Sequence, residues 1–208
     1  MIALTIVLII VTTFISIMAF SRRDIQYKWI FNPYQVHTHK EYWRFISSGF
    51  VHADYSHLIL NMVALYFFGK TVEYHLTDNF ELLGKFYFIL LYLGGIVVSD
   101  IPSFLKHRDN PGFNSLGASG GVAAVLFGSI LYRPTAPLSL MFIPIAIPAF
   151  ILGALYLIYS YYSGKKMVDN INHDAHLYGA LFGLFFTIIL NPPVVIGFVN
   201  QIKDFSLF

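Results

Sequence analysis

Apolar residues along this chain gather into six long runs, separated by polar or turn-forming segments. The runs are Ile2–Phe20, Ser56–His75, Phe80–Ser99, Gly117–Arg133, Pro137–Tyr162 and His173–Leu190. A helix needs about 20 predominantly apolar residues to cross the hydrocarbon of a bilayer. Backbone polar groups in lipid must be satisfied within their own segment, so the runs predict helices. The period-two alternation of a membrane barrel is absent. The expected fold is an all-α membrane protein, a six-transmembrane-helix bundle forming a single domain over 1–208, with a short C-terminal tail at about 193–208.

The first run also raises the question of a signal peptide. A signal core is about 7–15 apolar residues behind a basic segment. Ile2–Phe20 is longer and no basic residue precedes it, so it reads as a retained helix. Residues 21–55 hold both tryptophans, Trp29 and Trp43, in a polar-aromatic mix suited to headgroup level, which predicts a long interfacial first loop. A second long connection, residues 101–116, is punctuated by Pro102, Pro111 and Gly112.

The fourth run is short. Gly117–Arg133 spans about 25 Å at about 1.5 Å per residue, against a hydrocarbon core of about 30 Å. With its lower end at one interface, its start falls inside the membrane, and residues 110–116 must dip in to reach it. Irregular backbone at that depth is tolerated where protein buries it or water reaches it. A wet cavity above the start of this helix is expected.

Composition adds exclusions. Hydrophobic residues make up 57% of the chain and charged residues 12%, as a membrane protein requires. A net charge of +2 without a dense basic patch argues against a nucleic-acid partner. The absence of cysteine removes disulfides, thiolate metal sites and a cysteine nucleophile.

The chemistry concentrates at the start of the fourth run, Gly117-Ala118-Ser119-Gly120-Gly121. Ser119 taken alone reads more readily as a helix cap or packing residue than as a nucleophile, and its neighbours change that balance. Its flanking glycines allow close approach of backbone and substrate, and unpaired N–H groups at a helix start favour a developing negative charge. A serine nucleophile needs a base within reach. The sixth run offers His176, followed by Gly179 and Gly183. Ala175, Gly179 and Gly183 form a small-residue stripe matched by Gly120, Ala124 and Gly128 in the fourth run, so the two helices can pack closely. That stripe is equally compatible with packing alone. In the second run, His57 and Asn61 share a helix face. They are either an interhelical hydrogen-bonding pair or polar groups aimed at an oxyanion, with His52 upstream able to join them.

Taken in order, these segments resemble the rhomboid family of intramembrane serine proteases. Gly117-Ala118-Ser119-Gly120 resembles its GxSG motif, and Ala175-His176 with Gly179 and Gly183 its last-span histidine motif. His52, His57 and Asn61 resemble its HxxxxHxxxN segment, Trp43-Arg44 its WR motif, and Glu73 an acidic residue common near the far end of the second span. The resemblance implies a serine endopeptidase with a Ser119–His176 dyad that cuts transmembrane protein substrates in or beside their spans. It implies an oxyanion hole of Asn61, His52 and the Ser119 N–H. His57, Gly117 and Gly120 would support the site, and Trp43, Arg44, Glu73, Gly179 and Gly183 would be structural. No metal or organic cofactor is implied, and the partners are membrane substrates and the bilayer. Small residues near the cut bond, helix-breaking residues beyond it, and a lateral gate at the fifth span are further implications.

The chain departs from the pattern at Ala123, where some members carry a tyrosine that stacks on the histidine. Either another aromatic, Tyr156 or Tyr178, holds the His176 ring, or the ring is held less tightly. Asp174 points away from His176 on a helix and is not counted as a triad member. Orientation is contested. The family places its active site on the non-cytoplasmic side, here of a plasma or inner membrane. Arg22, Arg23, Lys28, Lys40, Arg44, Lys106, Arg108, Lys165 and Lys166 crowd the active-site side, which by the positive-inside rule points the other way. The first loop lies in the interface, which weakens its vote, and the family topology is the expectation.

Three rival readings remain. A non-proteolytic rhomboid-like protein that binds client helices usually lacks the serine or the histidine. A metal enzyme built on His52, His57, His173 and His176 lacks HExxH and an acidic residue at ligand spacing. A transporter needs an inverted repeat, which is not seen.

Overall fold

A computed structural model of the chain describes residues 3–139, 146–166 and 172–205. In chain order the elements are α1 (Leu4–Ser21), α2 (Arg23–Trp29), α3 (Pro33–His39), α4 (Arg44–Ser47) running into a 3₁₀ turn (Ser48–Phe50), α5 (Tyr55–Phe80), α6 (Leu82–His107), α7 (Ser119–Tyr132), β1 (Pro137–Ser139), β2 (Ala146–Pro148), α8 (Ala149–Lys166), α9 (His173–Leu190) and α10 (Val194–Lys203). α1, α6 and α9 are long and apolar enough to cross a membrane, and α7, Ala149–Gly164 and α10 are shorter apolar helices.

α7 is the axis of the bundle. Every residue of it except Ser119 and Leu126 is buried, with α5, α6 and α9 packed around it. Small residues make this possible. A Cβ on Gly95 of α6 would stand 2.6 Å from the Ala124 Cβ, and one on Gly121 would stand 2.7 Å from the Tyr92 carbonyl. On the opposite side, a Cβ on Gly179 or Gly183 of α9 would strike the backbone of Gly120 or Ala124. Without a hydrophobic drive between helices in lipid, such backbone proximity is the main source of attraction. Leu65, Val72, Leu76, Phe88, Leu91, Ile96 and Val125 fill the core between α5, α6 and α7.

α1 turns its small polar residues inward. Thr5, Thr12, Ser16 and Ala19 are buried, whereas Ile10 and Phe14 are exposed. Its own N-cap, Ala3, supplies no side-chain bond. Glu73 of α5 supplies it instead: its carboxylate accepts from the N–H of Leu4 (2.6 Å) and of Thr5 (2.9 Å), and from the Thr5 hydroxyl (2.7 Å). A carboxylate at a helix N-terminus is favoured by both hydrogen bonding and the helix dipole. The connection from α1 to α5 is ordered around Arg44, which is buried. Its guanidinium donates to the carbonyls of Tyr27 (3.0 Å) and Ile30 (2.8 Å) and to the Glu41 carboxylate (2.6 Å). Neighbouring Trp43 is half exposed.

Several expected boundaries shift. The third apolar run ends at Ser99, but α6 continues through Pro102 to His107. Its polar residues can remain helical because they find partners inside the protein. The Ser48 hydroxyl donates to Asp100 (3.4 Å), and the Asn172 amide donates to the Ser103 hydroxyl (3.0 Å). The fifth run predicts a helix from Pro137. Instead, Pro137–Ser139 pairs antiparallel with Ala146–Pro148, and the helix begins only at Ala149. Pro148 can lie at the end of that ladder but lacks the N–H to continue it. The fourth helix starts two residues into its apolar run, at Ser119, because Gly117 is at φ +117°. The tail beyond Pro193 contains α10, seated through Val194 and Phe198 against Leu131, Tyr132 and Ile188.

Candidate active site

The segment before Ser119 is tied down from four sides. Phe31 and Ser115 exchange backbone hydrogen bonds of 2.9 Å, joining the first connection to the second. The Gly117 N–H donates to the Ser48 carbonyl at 2.9 Å. The Asn32 amide donates to the carbonyl of Pro111 and to Asn114, both at 3.1 Å. Asn172, which caps α9 by accepting from the Ala175 N–H (3.1 Å), also donates to the Ser115 hydroxyl (3.1 Å). One asparagine therefore fixes the start of the helix carrying His176 and the loop leading to Ser119. Gly117 is required twice over, by its positive φ and because a Cβ there would stand 2.5 Å from the His57 ring.

These ties frame a cavity of about 950 Å³ whose walls include Ser119, His176, Asn61, His57, Gly117 and Gly120. Ser119 opens α7, so the N–H groups of its first turn lie at the cavity. His176 lies one turn before Gly179, and Gly179 abuts Gly120, the residue after Ser119. Asn61 is buried at 7% exposure and donates to the His57 carbonyl at 2.9 Å, which fixes its amide on the cavity side of α5. α6 adds Ser99, Asp100 and Ser103 to the walls, so the cavity is polar as well as deep. Among the two aromatics considered for the place vacated at Ala123, Tyr156 of α8 faces His176, with ring centroids 6.1 Å apart and planes 18° from parallel. Tyr178 points outward. Asp174 lies against Gly164 of α8.

His52 stands apart from the other expected site residues. It is fully buried and does not line the cavity. Its Nε2 accepts from the Ala118 N–H at 3.3 Å, and its Nδ1 lies 2.9 Å from the Ser16 hydroxyl. Ser16 in turn donates to the Phe50 carbonyl at 2.9 Å. The network assigns the proton to Nδ1, with Nε2 as acceptor. Both ring nitrogens are thus engaged in this arrangement, one by Ser16 and one by the Ala118 N–H. The ring connects α1 to the residue immediately before Ser119.

Burial pushes the His52 imidazole down to about 3, with the His57 ring adding to the effect and Asp54 opposing it. The unfolded chain then binds a proton that the folded chain refuses between pH about 6.5 and about 3, so stability falls as pH drops through that window. The difference in thermal stability between wild type and His52→Gln is expected to shrink on acidification from pH 7 to pH 5. A pH-independent difference would show that His52 is not buried neutral.

Ser16 was hidden inside an apolar run, and Asn172 looked like an ordinary loop residue. Ser99 and Ser103, spaced i and i+4 on α6, were the one readable signal of a polar face.

A family model described as Rhomboid domain matches residues 39–193. The chain belongs to the rhomboid family. It is 33% identical over 156 residues to RHOMBOID-like protein 12, mitochondrial, of Arabidopsis thaliana, covering 65% of this chain and 42% of that protein. It is 31% identical over 152 residues to Presenilin-associated rhomboid-like protein A, mitochondrial, of Danio rerio, covering 68% and 36%. It is 30% identical over 170 residues to Rhomboid-like protein 11, chloroplastic, of Arabidopsis thaliana, covering 76% and 56%. The match thus spans between about a third and just over half the length of these relatives. Rhomboids are generally intramembrane serine proteases, and with its apolar helices this chain is a multi-pass integral membrane protein. The relatives' names place those proteins in mitochondria or chloroplasts, which gives the expected plasma-membrane location no support.

Proposed function

We propose that this rhomboid is an intramembrane serine endopeptidase working through a Ser119–His176 dyad. The observation that carries the proposal is the backbone contact of Gly120 with Gly179, repeated at Ala124 and Gly183, which brings Ser119 and His176 to one polar cavity. In this reading six helices, α1 and α5 to α9, span the membrane as one domain, the short α7 being completed by the loop that leads into it.

His176 removes the Ser119 hydroxyl proton as Oγ bonds to the peptide carbonyl carbon. The carbonyl oxygen becomes an oxyanion, met by the Ser119 N–H and the Asn61 amide. As the C–N bond breaks, His176 returns the proton to the leaving amine. Water then attacks the acyl-enzyme with His176 again as base, releasing the acid and restoring Ser119. His52 is a positioning residue here, holding the Ala118 N–H and through it the start of α7. His57 packs on Gly117 and lies edge-on to His52 at 5.0 Å. Tyr156 restrains the His176 ring. The substrate must unwind locally to expose its amide, and entry between α5 and α8 fits the cavity residues Leu60, Ala64 and Tyr156.

Purified protein is expected to cut a single-span substrate carrying small residues and a helix breaker near one end of its span, yielding two fragments. Retention of the intact substrate without any cut favours the client-binding reading.

A further inference from the structure

At the end of the bundle opposite Ser119, α5 and the C-terminus of α7 enclose an open concavity of about 420 Å³, walled by Lys70, Thr71, Tyr74, His75 and Arg133. Helix ends fix its depth. α1 begins at Leu4 against Glu73 of α5. α7 ends at Tyr132, whose ring stacks on His75 with centroids 4.5 Å apart. Arg133 is the C-cap of α7. Residues 70–75 of α5 therefore lie where one apolar helix starts and another stops, the level at which hydrocarbon gives way to headgroups.

The charged side chains in the wall itself are both cations. Lys70 and Arg133 are both exposed, and among the described residues no carboxylate lines the concavity. Glu73 is turned toward the α1 backbone. Asp78 stands nearly a turn beyond His75 and is not in the wall, although its charge reaches the His75 ring. The Lys70 ammonium rests 4.9 Å above the Tyr66 ring and 3.5 Å from its hydroxyl, an arrangement that leaves its charge uncompensated. Tyr74, also exposed, adds an amphipathic ring of the kind that settles at headgroups. Two cations from different helices around one opening match a phosphate: the arginine presents a planar fork and the lysine a point charge. A zwitterionic headgroup would bring its own ammonium into this basic setting, whereas an anionic one would not.

We propose that this concavity binds the phosphate of an anionic phospholipid from the leaflet facing that end of the protein. Detergent-solubilised protein offered an equimolar mixture of phosphatidylglycerol and phosphatidylcholine is expected, by native mass spectrometry, to retain phosphatidylglycerol selectively. At roughly fivefold per basic side chain near a membrane surface, Lys70→Gln with Arg133→Gln should lower that selectivity about 25-fold. Lys70→Arg with Arg133→Lys should preserve it. Arg22→Gln with Arg23→Gln, at the opposite end, should leave it unchanged. Millimolar inorganic phosphate should not displace the bound lipid. Equal retention of both lipids, selectivity that survives neutralisation of Lys70 and Arg133, or an equal loss in the Arg22/Arg23 variant would overturn the proposal. Displacement by inorganic phosphate would reassign the concavity to a soluble phosphate compound.

Discussion

Ser119→Ala and His176→Ala are each expected to lower the rate of substrate cleavage by at least about a thousandfold, and the double variant by no more than either single one. The non-additivity is the informative part. A serine hydroxyl without its base is a weak nucleophile, and an imidazole without the hydroxyl has no proton to take. Either loss therefore removes the same covalent route. Both side chains are only partly buried at the cavity wall, so alanine leaves the packing of α7 on α9 intact, and thermal stability should stay close to wild type. Additive losses in the double variant, measured by single-turnover cleavage, would mean that the two residues act in separate steps.

Gly179→Leu should abolish cleavage by a different route, at a cost in stability. Even a Cβ at this position would strike the Gly120 carbonyl, and a leucine requires the two backbones to separate. Since reacting atoms must sit about 3 Å apart, a displacement of even about 1 Å costs on the order of a hundredfold. Overpacking of a close interface adds about 1–3 kcal/mol of destabilisation. The expected outcome is a lower melting temperature together with loss of cleavage. Gly179→Ala should be milder in both. Full activity in the leucine variant would mean that α7 and α9 are not held as described.

The bundle was readable because lipid demands long apolar runs, and the positions of α1, α5, α6, α7 and α9 follow them. The boundaries that moved are those where the protein interior is wet or irregular. Asp100 and Ser103 look like the end of a span to a hydropathy reading, yet they continue α6 because Ser48 and Asn172 meet them. Pro137–Ser139 and Ala146–Pro148 look like parts of a span because their residues are mostly apolar, but Pro137 and Pro148 sit at the ends of an extended antiparallel pair. At the site, Ser119, His176, Asn61 and His57 stand out as polar groups in apolar surroundings, and all four reach one cavity. The His52 side chain could not be aimed from sequence, since its direction depends on Ser16, thirty-six residues earlier. The choice between Tyr156 and Tyr178 as the ring beside His176 likewise depends on how α8 packs against α9, which sequence spacing does not encode.

The most direct measurement is covalent labelling of the purified protein with a fluorophosphonate, followed by mapping of the adduct by peptide mass spectrometry. A dyad predicts a single adduct on Ser119 in the wild type, and its loss in His176→Ala. An adduct on another residue, or equal labelling of Ser119 in wild type and His176→Ala, would contradict the assignment of His176 as the base that activates Ser119.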